Sequence, residues 1–158
     1  MAAGATYTTI ATTTTTGTAS IDWQSISGAY TDLILIGIGN DSGGFVKITL
    51  NNDTSSNYSR TALRGNGTSA SSARASNETA WYPDFETNPS TMICHFMNYS
   101  NATTYKTMLG RFNNTTGIVV AQANLWRSTA AINRITLSSS AGGSTLVGTF
   151  SLYGITAA

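Results

Sequence analysis

The chain has 158 residues, including 27 Thr, 19 Ser and 13 Asn, and only 9% of its residues are charged, against about 25% in an average soluble domain. Its formal net charge of +1 creates no long-range field that would attract nucleic acid or an anionic membrane surface. Acid–base catalysis and metal binding need ionisable groups, so one His, one Cys and seven carboxylates argue against an enzyme, a metal site and a cofactor.

Residues 1–20 are predicted to form an extended N-terminal arm or a first strand, and residues 21–158 a single domain. The five consecutive threonines Thr12–Thr16 favour β structure but offer little apolar area to a core. Such a segment can pair with the sheet edge of a partner. The candidate residues for this partner-binding arm are Tyr7, Ile10, Thr12, Thr14 and Thr16.

Alternation of apolar and polar residues with a period of two recurs along the rest of the chain, while a helical period is nearly absent. Strands are predicted near Thr6–Thr15, Ser20–Ile26, Thr31–Ile38, Phe45–Leu50, Tyr58–Leu63, Thr79–Tyr82, Thr91–Met97, Thr104–Phe112, Ile118–Trp126, Ile132–Leu137 and Thr145–Ile155. This pattern predicts an all-β fold, an antiparallel β-sandwich that is jelly-roll-like or, as a second choice, immunoglobulin-like, with an N-terminal extended arm.

Three predicted strands show which residues share a face of the sheet. These apolar sets are Val46, Ile48 and Leu50; Leu146, Phe150 and Leu152; and Val119, Ala121, Ala123 and Leu125. Each alternates with other residues, which is typical of half-buried strands in an antiparallel sheet.

One predicted strand is apolar at consecutive positions and must therefore be covered on both faces. A second sheet would cover one face, and either the chain's own loops or another subunit would cover the other. The candidate oligomer interface comprises Leu33, Ile34, Leu35, Ile36 and Ile38.

Two glycine-containing segments are predicted to be loops. Between Gly65 and Ser76 there are too few large apolar residues to bury, which favours a long surface loop. Gly37–Gly44 resembles a phosphate loop, but Ser42 replaces the third glycine and a strand follows, so a hairpin connection is the better interpretation.

Two pairs of residues carry groups that could be chemically reactive. Cys94 and His95 are adjacent on an extended strand, so their side chains point to opposite faces, and Cys94 is expected to be a buried apolar residue. Asp84 and Glu86 are close enough in sequence for a glycosidase or calcium site, but they lie in a loop between two prolines. We expect neither pair to be catalytic or to bind a metal.

Aromatic and arginine side chains are enriched at protein interfaces, and exposed aromatic rings can also stack on carbohydrate. The candidate surface anchors are Trp81, Tyr82, Trp126 and Arg127. The alternative for each of the aromatic residues is a place in the core.

Several stretches of the chain resemble a group of small Thr/Ser/Asn-rich β-proteins found in virions of tailed phages, notably cyanophages. These stretches are Tyr30–Leu35, Asn51–Ser59, Met97–Thr107, Leu125–Asn133 and Gly148–Ile155. The resemblance implies a non-enzymatic virion component on a head or a tail appendage, and it carries over no catalytic residue. Without the features of a secretory signal, the chain is expected to assemble in the host cytoplasm.

Two functions are compatible with this resemblance. The first is a capsid decoration or cement protein, a homotrimer that binds the major capsid protein or another virion protein, since threefold points of a capsid lattice are common docking sites. The second is a receptor-binding module of a tail or head fibre, in which exposed aromatic residues bind host glycans. A secreted lectin-like or enzymatic protein is a third, less favoured possibility.

Overall fold

The computed structural model describes residues 6–156, and every regular element in that range is a β-strand. The strands are β1 (Tyr7–Thr18), β2 (Ser20–Trp23), β3 (Asp32–Asp41), β4 (Val46–Leu50), β5 (Tyr58–Gly65), β6 (Ala70–Glu78), β7 (Ser90–Met97), β8 (Lys106–Asn114), β9 (Val119–Trp126), β10 (Ile135–Ser139) and β11 (Leu146–Ile155). Within these residues no helix is long and apolar enough to cross a membrane.

The strands form two antiparallel sheets of unequal size. The larger sheet has the order β1-β11-β3-β7-β8-β9-β5-β6, and the smaller has the order β2-β10-β4. Side chains from both sheets belong to one buried cluster, so the small sheet packs on one face of the large sheet. The predicted all-β antiparallel sandwich is therefore confirmed.

The core lies between the two sheets and follows the predicted alternation in most strands. Val46, Ile48 and Leu50 of the small sheet are fully buried, as are the β11 residues Leu146, Phe150 and Leu152 of the large sheet. Three small strands cover only part of eight, so the segment that follows β6 completes the layer. In that segment Trp81 pairs with Ile48, and Phe85 packs on Phe150.

The predicted long surface loop between Gly65 and Ser76 is wrong, because most of it forms the edge strand β6. Strands β5 and β6 are joined by a tight turn in which the Asn66 side-chain oxygen accepts hydrogen bonds from the backbone N–H groups of Thr68 and Ser69. The predicted strand Thr79–Tyr82 is reduced to the single bridge at Trp81. An edge strand exposed along both faces needs no large apolar residues, which explains its loop-like composition.

The prediction of a hairpin at Gly37–Gly44 is wrong, because this segment takes the chain from one sheet to the other. Strand β3 lies in the large sheet and β4 in the small one. The buried Asp41 carboxylate accepts hydrogen bonds from the N–H groups of Gly43 and Gly44, both at 3.0 Å, and so holds the turn between the layers.

The described part of the predicted N-terminal arm is the first strand of the chain's own large sheet, and residues 1–5 lie outside the described residues. Strand β1 pairs antiparallel with β11 from Tyr7 to Thr18, with register shifts between Thr9 and Ala11 and between Thr15 and Thr18. The Thr12 and Thr14 hydroxyls lie 3.0 Å from those of Ser151 and Thr149, and Ile10 packs against the core. The prediction that this segment pairs with a partner through its backbone is therefore corrected, because one of the two edges of β1 already pairs with β11 of the same chain.

Candidate assembly surface

The face of the large sheet opposite the core is open, and we call it the outer face. The strand registers place its residues in rows that run across the sheet. The central row contains Ser151, Ile36, Ile93, Arg111, Ala121, Leu63 and Ser72 in successive strands from β11 to β6. No strand of the small sheet lies on this side, because the small sheet packs on the core side.

Strand β3 contributes to both faces, as its consecutive apolar residues required. Leu33 and Leu35 point into the core and are fully buried. Ile34, Ile36 and Ile38 point to the outer face, where their exposure differs sharply. Ile34 lies between Tyr153 and His95 and is only 8% exposed, whereas Ile38 lies between the shorter Thr149 and Thr91 and is 60% exposed.

Strand β9 carries apolar residues on both faces: Val120 and Trp126 are buried in the core, and the alternating apolar set that was expected to be half-buried is turned outward. Val119, Ala121 and Ala123 are exposed on the outer face, while the polar Gln122 and Asn124 are 6% and 3% exposed. The buried amides bond locally, with Gln122 donating to the Tyr82 carbonyl and Asn124 donating to Gln122. Burying amides while exposing apolar side chains is unfavourable unless another surface covers the apolar side.

Three large exposed apolar side chains of the outer face lie on three neighbouring strands. Leu63 of β5 is 63% exposed, Leu109 of β8 is 49% exposed and Val119 of β9 is 59% exposed. Together with Ala121 and Arg111 they form what we call the central patch. Two adjoining grooves of about 650 and 560 Å³ run over it, and Leu63, Arg111 and Ala121 line both of them.

Charged groups are sparse on the outer face. The Asp32 carboxylate lies 2.9 Å from His95 Nε2 and also accepts a hydrogen bond from the Asn98 N–H. Arg111 lies in the middle of the face, between Ile93 and Ala121, and is exposed. Arg74 stands on the edge strand β6.

The predicted surface anchors occupy other places. Trp81 is fully buried and Trp126 is 2% exposed, so both belong to the core and not to the surface. The Trp81 indole donates to the Leu125 carbonyl, and the Trp126 indole donates to Asp53. The sequence does not show whether a tryptophan lies in the core or at an interface, because its large apolar ring system packs well in the core and against a partner alike.

Tyr82 and Arg127 are half-buried and serve local structure. The Arg60 guanidinium lies 5.4 Å from the centre of the Tyr82 ring, and it also donates to the Tyr82 carbonyl. Arg127 donates to the Ser56 carbonyl and the Asn77 side chain, and so ties the loops around β5 and β6 together.

The two pairs of reactive groups, Cys94 with His95 and Asp84 with Glu86, have different surroundings in the fold. Cys94 is buried, and burial raises the pKa of its thiol. Asp84 and Glu86 lie 3.4 and 3.7 Å from the two terminal nitrogens of Arg64, and Glu86 also accepts a hydrogen bond from Asn114. Within residues 6–156 no three His, Cys, Asp or Glu side chains cluster closely enough to hold a metal ion.

Lys106 is buried, which the sequence does not predict. Lys106 Nζ donates to the carbonyl oxygens of Thr104 and Thr129 at 2.7 and 3.1 Å, and burial lowers the pKa of this amine. It holds the loops on either side of the β8–β9 pair. Its position at the start of a strand, after three polar residues, gave no signal of burial.

Comparisons with protein-family models, curated proteins and solved structures found no match to this chain.

Proposed function

We propose that the chain is a non-enzymatic structural protein of a tailed-phage virion, a decoration or cement protein that binds the head lattice. The observation that supports this best is the outer face, a wide sheet surface with exposed apolar side chains and few charges. Such a surface is suited to permanent assembly, because few charged groups lose their water when it is covered.

Composition supports the same proposal. With 9% charged residues, the whole surface of the protein relies on hydroxyl and amide groups for hydration. These groups can exchange water for hydrogen bonds to a neighbouring subunit at a smaller cost than Lys or Glu. In the proposed role, the protein forms a homotrimer and contacts the major capsid protein or another virion protein, with no part for nucleic acid or membrane.

The second proposed function is a glycan-binding module of a tail or head fibre. Burial of Trp81 and Trp126 removes the side chains on which this alternative first rested. A cleft of about 260 Å³ still favours it, because Phe45, Tyr82 and Asp84 line it together with Arg60. Two aromatic rings beside polar groups can bind a sugar, but the cleft is smaller than the grooves of the outer face.

The two proposals are separated by locating the protein on particles. Virions would be purified from an infected culture that produces the chain, labelled with gold-conjugated antibody and imaged by negative stain, with antibody against an internal virion protein as the control. Label spread evenly over the heads supports decoration, and label at fibre tips supports the glycan-binding module. Purified particles that lack the chain, while the infected cells contain it, would reject both.

A further inference from the structure

We infer that a second copy of this chain covers the outer face of the large sheet, with the central patch of Leu63, Leu109, Arg111, Val119 and Ala121 in the middle of the interface. The inference rests on the proposed assembly role and assigns the outer face to contact between copies, so contact with the head lattice falls to another surface of the oligomer. It moves the centre of the interface from β3 to β5, β8 and β9, since Ile34 is already buried within the chain, while Ile38 stays 60% exposed on the same face.

The distribution of exposure on the outer face supports this position. Leu63, Leu109 and Val119 on the neighbouring strands β5, β8 and β9 are exposed beside the small Ala121 and Ala123, and Ile38 of β3 is exposed on the same face. Strand β9 is apolar on both faces, with Val120 and Trp126 in the core on its inner side. A strand that is apolar on both faces is stabilised when a second apolar layer covers its outer side.

The size of the face matches what a stable complex requires. Eight strands at about 4.8 Å spacing, with four outward residues each at about 6.7 Å, give a surface of roughly 1,000 Å². A standard protein interface uses about 800 Å² on each partner. The whole outer face, including its polar positions, is therefore large enough to be a complete interface.

The arrangement of large and small side chains on the outer face is complementary to the outer face of a second copy. The face carries both large side chains and strips of small ones, so the projecting Leu63 and Leu109 of one copy can enter the grooves beside Ala121 and Ala123 of another. Sheets packed face to face interdigitate in this way at a separation of about 10 Å. Homo-oligomer interfaces are also more apolar than other interfaces, which agrees with the exposure of Leu63, Leu109 and Val119.

Charge is compatible with the same partner. Asp32 and His95 contact each other within the chain, so they place no unpartnered carboxylate on the face. Arg111 is surrounded by apolar neighbours in the manner of an interface hot spot, where arginine is enriched. Its guanidinium has five donors for backbone carbonyls or hydroxyls of the facing copy.

The test is sedimentation equilibrium of the full chain at micromolar concentration, with Leu63→Asp and Val119→Asp as separate variants. Both side chains are mostly exposed in the single chain, so the substitutions leave the fold intact, which circular dichroism checks. Phe45→Asp is the matched control, because Phe45 is a large exposed side chain at the start of the small sheet.

The expected result is an assembly of two or more copies for the unmodified chain and for Phe45→Asp, and folded monomer for the two outer-face variants. Monomeric unmodified chain would overturn the inference, and so would assemblies that persist in both outer-face variants. Presence of the chain on purified virions is measured separately. A monomer that is found on virions would leave the proposed function standing, whereas an assembly absent from virions would reject the virion role alone.

Discussion

At the scale of single residues, Asp53 connects the turn after β4 to the core. Its carboxylate accepts hydrogen bonds from the Trp126 indole at 2.7 Å, the Asn57 amide at 3.0 Å and the Ser55 N–H at 2.9 Å. Burial alone would raise the pKa of Asp53, but these hydrogen bonds outweigh it and lower the pKa to about 2. The ionised carboxylate is therefore the form that stabilises the fold.

We expect Asp53→Asn to lower the free energy of unfolding by about 1–2 kcal/mol at neutral pH, a value reduced for the partial exposure of the site. Because the folded pKa of about 2 lies below the ordinary 3.8, the stabilisation is present above pH 3.8 and is lost as the pH falls toward 2. Urea denaturation of both proteins between neutral pH and about pH 2 measures this. A difference that stays constant over that range would contradict the assigned role of the carboxylate.

A second residue-scale prediction concerns the glycine pair between β3 and β11. Gly39 and Gly148 face each other across the two strands, with φ angles of +152° and +128°. A Cβ at Gly148 would overlap the Ile38 carbonyl oxygen, and L-residues rarely adopt this φ. We expect Gly148→Ala to lower the free energy of unfolding by about 2–4 kcal/mol.

Gly142→Ala is the control for this substitution. Gly142 lies in the exposed turn before β11, and a Cβ there has no heavy atom within 4 Å. Chemical denaturation should therefore show a change within about 0.5 kcal/mol for this variant. Equal effects of the two substitutions would show that close approach of the strands is not what the glycine pair provides.

Alternation in the sequence predicted the direction of many side chains, and the exceptions have a physical reason. Leu33 and Leu35 point inward because the core is apolar, and the β4 residues follow the same rule. The direction of β9 could not be predicted, because both of its faces carry apolar residues. Val120 and Trp126 point to the core, while Val119 points outward. The neighbouring strands β5 and β8 fix the register of β9, and the sequence of a single strand does not contain that information.

At the scale of elements, β1 is expected to stabilise the domain, which reverses the prediction for a free arm. Removal of residues 1–18 would delete the pairing with β11 and the contacts of Ile10 and Ala11 with the core. We expect a loss of at least about 3 kcal/mol, or roughly 6–12 °C in Tm.

Calorimetry of the truncated chain, beside a Thr12→Ala, Thr14→Ala double variant, tests this expectation. The double variant keeps the backbone pairing and removes only the two hydroxyl contacts to Ser151 and Thr149, so its Tm should change little. An unchanged Tm for the truncated chain would restore the interpretation of the segment as an arm.

Ten of the eleven predicted strands correspond to observed strands, because their alternation is strong. The sequence did not predict strand β6. This strand has almost no large apolar residues, since it is an edge strand and packs little on either side. The division of the strands into a large and a small sheet could not be predicted from the sequence either, because it depends on pairings between distant segments such as β1 with β11.

At the scale of the whole molecule, assembly through the outer face should depend little on salt. The contact is apolar, and Asp32 and His95 pair within one chain, so few ion pairs would cross the interface. Sedimentation in low and high sodium chloride is expected to give the same assembled species. Dissociation at high salt would indicate that Arg111 and Arg74 bind carboxylates of the partner and that charge dominates the contact.

The pairing of β1 with β11 also determines when the protein can fold during its synthesis. Thr12 and Ser151, whose hydroxyls meet across these strands, are 139 positions apart in the chain. Strand β11 also separates β1 from β3, so the first strand has no place in the sheet until the last one has left the ribosome. Folding dominated by such distant pairings takes milliseconds to seconds. The threonine-rich strand β1 therefore stays unpaired in the nascent chain until β11 has been synthesised, and a chaperone that binds extended segments would bind it there.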